Sequence, residues 1–233
     1  MSHFSLRLVT VVILLAWSAG LYSLLLVAAW GNPVGRAIAA MSLGLMLFWV
    51  VLGGGLMVRY RAAIVQWVSR LPGGWRVRFV LLATVLALIE EAIATLMTNA
   101  GPLLGDSSGQ AFITASSNYW EVVAFNSVVV FVPMFMGWAA LLSWRAFAPF
   151  AAFILFGITG LLAEVLSFGP QNLLGAGFWV LVYGLMIYLP AHTVPAAAAP
   201  PARLLHYPLA VVFPLVCAAP VALSVMWLRS RLS

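Results

Sequence analysis

Apolar stretches of about 20 residues, each long enough to cross the roughly 30 Å hydrocarbon core of a bilayer as an α-helix, recur along the whole chain. Seven run approximately over 8–30, 37–58, 79–99, 120–144, 146–168, 173–191 and 207–228. Their apolar character is continuous instead of alternating with a period of two, which predicts helices and not barrel strands. The expected fold is therefore all-α: a polytopic integral membrane helix bundle of about seven transmembrane helices, forming a single transmembrane domain over residues 1–233. Composition agrees, because 65% hydrophobic residues, 7% charged residues and a mean hydropathy of +1.12 lie outside the range of soluble domains.

The charged residues are few enough to take one by one. All 11 basic residues are arginines, so chemistry that needs a lysine Schiff base is excluded. Cys217 is the one cysteine, which excludes an internal disulfide or a cysteine-held cluster. Positive loops are retained on the cytoplasmic side. Placing the five arginines of Arg59–Arg78 inside also places Arg7, Arg145 and Arg203 inside and leaves Arg36, Arg229 and Arg231 outside. The N-terminus is then cytoplasmic and the C-terminus external, in a membrane expected to be a bacterial inner membrane. The first stretch, apolar over its full length after Arg7, reads as a retained anchor and not as a cleaved signal.

In the basic segment, Ile64, Val65, Trp67 and Val68 alternate with arginines, a pattern expected of an interfacial amphipathic helix against anionic headgroups. The expected partners are the lipid bilayer and other membrane subunits, with no nucleic acid. The alanine- and proline-rich run 195–203 reads as a stiff cytoplasmic linker. Prolines at 133, 208, 214 and 220 are expected to kink the fourth and last spans.

Ionisable residues within spans are costly unless they face protein or water, so they mark candidate sites. Glu90 and Glu91 lie near the middle of the third span, and Glu164 lies about one turn from the external end of the fifth. Helical spacing puts Glu91, Thr95 and Thr98 on one face and turns Glu90 about 100° away, toward Ala94 and Met97. Gly157, Gly160, Glu164, Ser167 and Gln171 share another face, small at depth and therefore suited to close helix approach. Asn126 lies about 10 Å and Glu91 about 12 Å below their external ends. The candidate substrate-binding set is Glu90, Glu91, Thr95, Asn126, Glu164 and Tyr183, of which Glu91, Asn126 and Glu164 are expected to line one cavity open to the external side, with Tyr183 as a wall, while Glu90 need not face the same space. Glu121, next to Tyr119 and Trp120, reads as an interface residue. His3, His192 and His206 all fall outside the middle of the spans, so no cofactor is specified, and two carboxyls on separate helices give no metal signature.

The run Leu88-Ile89-Glu90-Glu91-Ala92 resembles the first motif of the glutamate-dependent intramembrane proteases, the CAAX-protease-like and PrsW-like families. In those families a glutamate activates water for peptide hydrolysis, assisted by histidine and asparagine or acidic residues on later helices. The resemblance implies a hydrolase built on the Glu90–Glu91 pair, with Asn126 and Glu164 on later spans.

Three functional classes follow. A noncatalytic subunit or assembly factor of a membrane complex fits the short loops, the apolar helices and the lack of a full catalytic set. A solute or ion transporter using Glu91 and Glu164 fits the intramembrane acids and the prolines. An intramembrane hydrolase fits the glutamate pair.

Overall fold

The computed structural model describes residues 3–196 and 198–232. The side chains of His3 and Arg229, together with Ala197 of the alanine- and proline-rich run, lie outside the described residues.

Helices α1 (His3–Ala28), α2 (Pro33–Leu45), α3 (Gly54–Ser69) and α4 (Trp75–Asn99) form the first half of the bundle. The second half contains α5 (Tyr119–Phe125), α6 (Val128–Trp144), α7 (Pro149–Phe168), α8 (Ala176–Ala191) and α9 (His206–Leu232). Six helical segments among the described residues are long and apolar enough to cross a membrane, and the bent pair α5–α6 makes seven. Their order and approximate bounds match the apolar stretches. Local chemistry sets several starts. Asn32 caps α2 by accepting from Gly35 N at 3.1 Å, with Pro33 just inside the helix. Asn118 caps α5 through Trp120 N at 3.0 Å. Helix α7 starts at Pro149 and stops at Gly169, whose φ of +103° suits glycine.

Two expectations need correction. The basic segment is not a separate interfacial helix: α2, a π-helical stretch over Met46–Gly53, and α3 form one run of 37 residues. At 1.5 Å per residue that run is about 55 Å long, so Arg59 and Arg61 continue the helix beyond its apolar stretch and the connecting loop shrinks to 70–74. The bend in the fourth span, of 45°, lies at Asn126–Ser127 and not at Pro133, through which α6 continues. Helix α9 likewise runs unbroken through Pro214 and Pro220.

Arginines cluster at one end of the bundle. Arg7 lies over the Phe150 ring at 5.9 Å, Arg61 donates to Tyr188 Oη at 3.2 Å, and Arg76 donates to Ser143 Oγ at 2.6 Å. Arg36 sits at the opposite end, over the Trp30 ring at 5.7 Å. These are the two arginine groups expected from the loop pattern.

The closest helix pair, α7 with α8, is built on glycine. A Cβ at Gly157 would collide with the Val180 carbonyl, one at Gly160 with the Tyr183 ring, and one at Gly184 would meet Phe153 O at 2.7 Å. Close backbone approach of this kind maximises van der Waals contact between helices. Helix α9 packs on α6 by the same device, with a Cβ at Gly137 falling 2.9 Å from Cys217 Sγ. The buried Thr159 hydroxyl ties α7 to α9 by donating to Val211 O at 3.0 Å.

Candidate functional site

The buried face of α4 carries Ala83, Ala87, Glu90, Glu91, Ala94, Thr95 and Thr98. Spacings of three and four residues generate an arc wide enough to enclose two adjacent positions. Glu90 and Glu91 are both buried, 5% and 6% exposed. Helix α4 packs against both α6 and α8, so both glutamates are buried although the helix turns them about 100° apart.

Helix α7 brings the third carboxyl. The absent side chain at Gly160 admits the Tyr183 ring, and one turn further along α7 the Tyr183 hydroxyl donates to Glu164 Oε1. Phe131 meets the same ring edge-on at 5.6 Å and Trp179 stacks on it at 5.8 Å, which fixes the direction of the hydroxyl. Glu90, Glu91 and Glu164 lie within electrostatic reach of one another, and Tyr183 is within reach of all three. The nearest arginine along α4, Arg78, is twelve residues from Glu90, about 18 Å away along the helix.

Residues outside the expected set complete the cluster. Ser127, at the bend between α5 and α6, lies within electrostatic reach of the Glu91 carboxyl. Tyr22 of α1 lies within electrostatic reach of Glu164. Tyr119 Oη donates to Leu88 O at 3.1 Å, across from the turn that carries the glutamates. Serine and tyrosine are common in apolar spans, and only the fold distinguishes these from ordinary ones.

The other expected residues divide. Thr95 is buried one turn beyond Glu91, and its Oγ1 has no hydrogen-bond partner among the described residues, a costly state for a hydroxyl. Asn126 stands at the bend, where its Nδ2 donates to Glu121 O at 3.1 Å. Glu121 is exposed and accepts from Ser116 Oγ at 2.8 Å, in keeping with an interface position. Two sizeable cavities open at the ends of the bundle, and neither is lined by the glutamates.

Beyond the cluster, the loop 100–118 is ordered around Asp106. Its carboxylate accepts from Ser108 N at 3.0 Å, from the Ser108 hydroxyl and from Ala111 N at 2.7 Å. These bonds, the Ser108 hydroxyl first, hold its pKa below the ordinary aspartate value. Thr98 Oγ1 pairs with Thr114 Oγ1 at 2.9 Å, and Asn99 Nδ2 donates to Ser117 O at 2.9 Å, which seats the loop on the end of α4. The polar stripe read from Thr98 and Asn99 thus anchors this loop.

Histidines stand apart from the acids. His192 ends α8 and His206 starts α9, both at the arginine-rich end, so neither reaches the glutamates. Among the described residues, no group of three or more His, Cys, Asp or Glu side chains is arranged to hold a metal ion. Comparisons of the chain with protein-family models, with curated proteins and with solved structures return no match.

Proposed function

We propose that the protein is a membrane transporter in which the cluster of Glu90, Glu91, Glu164 and Tyr183 takes up and releases protons as a solute crosses. Its N-terminus and arginine-rich end lie on the cytoplasmic side. The observation that carries this reading is the convergence of three carboxyls from α4 and α7 in a volume without a cation. Full ionisation of three neighbouring acids inside a bilayer is prohibitively expensive. The negative charge must be balanced by protons or by a bound cation, and the Tyr183 hydroxyl already directs one hydrogen at Glu164. The buried Thr95 hydroxyl, one turn from Glu91, is a ready contact for a polar solute. The bend at Asn126–Ser127 adds a broken helix at the depth of the acids, and discontinuous helices are the usual frame of such sites.

Proteoliposomes containing the protein and an internal pH dye test the reading. A panel of solutes is applied outside, and the active solute is the one that moves protons. That movement should vanish in Glu164→Gln and Glu91→Gln while reconstitution is unchanged. Equal flux in wild type and both variants would overturn the proposal.

A second reading is a noncatalytic subunit in which the same network fastens helices together. It is favoured by one observation: the Tyr183–Glu164 bond joins α8 to α7, as interhelical fasteners do. Under that reading Glu164→Gln retains an acceptor for Tyr183 and no flux accompanies it.

A further inference from the structure

The arginine-rich end of the bundle holds a cavity of about 450 Å³, lined by Arg145, Arg203, His206, Leu205 and the turn 200–202. The proline-rich segment that forms one wall is clamped in place. Ala146 N donates to Pro200 O at 2.9 Å, and Ala202 N donates to Ala146 O at 2.9 Å. His206, only 6% exposed, links the two arginines: its Nε2 accepts from Arg145 Nε at 3.3 Å, which leaves the proton on Nδ1 to donate to Arg203 O at 3.1 Å. The Arg145 guanidinium lies over the Trp144 ring at 4.7 Å, and the same ring meets His206 edge-on.

Both arginines keep donors to spare. Arg145 spends two N–H groups, on His206 and on Trp144 O at 3.1 Å, out of the five a guanidinium carries. The Arg203 side chain is exposed and bonds no described group. No carboxylate neutralises them, because the five acids of the chain are Glu90, Glu91, Asp106, Glu121 and Glu164, all in mid-span or toward the other end.

From the cavity an apolar stripe leads along the outside of α9. Leu205, Leu209, Val212 and Val216 are all exposed, and their spacings of four, three and four put them on one line. We propose that the cavity binds the phosphate of an anionic lipid from the leaflet at the arginine-rich end, with an acyl chain lying along that stripe. The two arginines supply the charge-assisted bonds that a phosphate takes. The stripe separates a lipid from a soluble phosphate, which has nothing to place on it. The inference rests on the membrane-spanning reading and is independent of proton transport.

The test measures thermal stabilisation of the detergent-purified protein by dihexanoyl phosphatidylglycerol, dihexanoyl phosphatidylcholine and glycerol phosphate. Phosphatidylglycerol should stabilise the wild type, and its half-saturating concentration should rise at least about tenfold in Arg203→Gln. Arg70→Gln, an exposed arginine of the neighbouring loop, should stay within about twofold of wild type. Arg145→Gln should match Arg203→Gln; should it fail to fold, Arg203→Gln decides alone, since its side chain holds nothing in the fold. Equal stabilisation by phosphatidylcholine, or no change in Arg203→Gln, overturns the proposal. Equal stabilisation by glycerol phosphate overturns the lipid assignment in favour of a soluble phosphate. Incorporation of all variants into phosphatidylcholine nanodiscs separates a failure of this site from a failure of the membrane reading.

Discussion

The Tyr183 ring occupies the space that a side chain at position 160 would fill, so Gly160 is the reason that Tyr183 can donate to Glu164. Packing and chemistry are joined at this contact. Helices α7 and α8 approach closely because of Gly157, Gly160 and Gly184, and the approach delivers the hydroxyl to the carboxyl one turn away.

Adding a methyl group at the contact should be costly. Gly157→Ala must push on the Val180 backbone, which cannot swing aside, and overpacking of this kind costs about 1–3 kcal/mol. Gly160→Ala must move the Tyr183 ring. Gly20→Ala, where nothing stands within 4 Å, should leave stability unchanged or slightly improved. Thermal unfolding in detergent compares the three, and equal midpoints for Gly157→Ala and Gly20→Ala would contradict the packing described.

Tyr183→Phe keeps the ring against Gly160 and removes only the donor to Glu164. Its stability loss should be modest, about 1 kcal/mol, while proton-linked flux should fall by at least about tenfold, the equivalent of 1.4 kcal/mol at the barrier. A variant with full flux would remove the Tyr183–Glu164 bond from the mechanism.

Thr95→Val is close in shape and deletes a buried hydroxyl that bonds nothing among the described residues. Loss of such a group should leave stability unchanged or raise it. If Thr95 serves a passing solute, the apparent affinity for that solute should weaken nonetheless. Unchanged transport would return Thr95 to a packing role.

Asp106 gives a prediction with a defined sign. Its pKa is lowered in the fold, so its contribution to loop order is fully present above the ordinary value of 3.8 and is lost as pH falls through the lowered value. Hydrogen exchange of residues 105–117 should therefore be insensitive to this group from neutral pH down to about 4. Asp106→Ala should expose the Ser108 and Ala111 amides at every pH. Protection of those amides in the variant would show that the loop does not depend on the carboxylate.

His192 carries the opposite charge type and the same direction of shift. Burial first, then Arg61 and Arg7, lower its pKa from 6.5. The fold therefore favours the neutral ring, and that stabilisation is complete above about pH 6.5 and declines as pH falls through the lowered value. Thermal midpoints below pH 6 should drop more steeply for wild type than for His192→Asn; parallel profiles would exclude the histidine.

Much of the architecture was legible because bilayer length and backbone hydrogen bonding leave few choices. The six or seven helical segments of membrane-spanning length, the two arginine groups and the small face at Gly157 and Gly160 all follow from local spacing. The burial of Glu90 beside Glu91 was not legible, because a helical wheel gives the angle between neighbours and not the width of the arc that packing buries. The bend at Asn126–Ser127 carries no proline, whereas Pro133 is absorbed within α6. The basic segment looks amphipathic, yet 59–69 simply prolongs the preceding span, since nothing between Gly54 and Ser69 stops a helix. Ser127, Tyr22 and Tyr119 join the site through contacts between helices, which spacing along one helix does not encode.

Infrared difference spectroscopy tests most directly whether the acidic cluster carries protons. Purified wild-type protein is titrated with pH while the C=O stretch of protonated carboxyl groups is followed. The account predicts a titrating carboxyl band in wild type that is reduced in Glu91→Gln and in Glu164→Gln, and that shifts in Tyr183→Phe because the bonded hydroxyl is gone. Identical spectra in wild type and in a Glu90→Gln, Glu91→Gln, Glu164→Gln triple variant would contradict it.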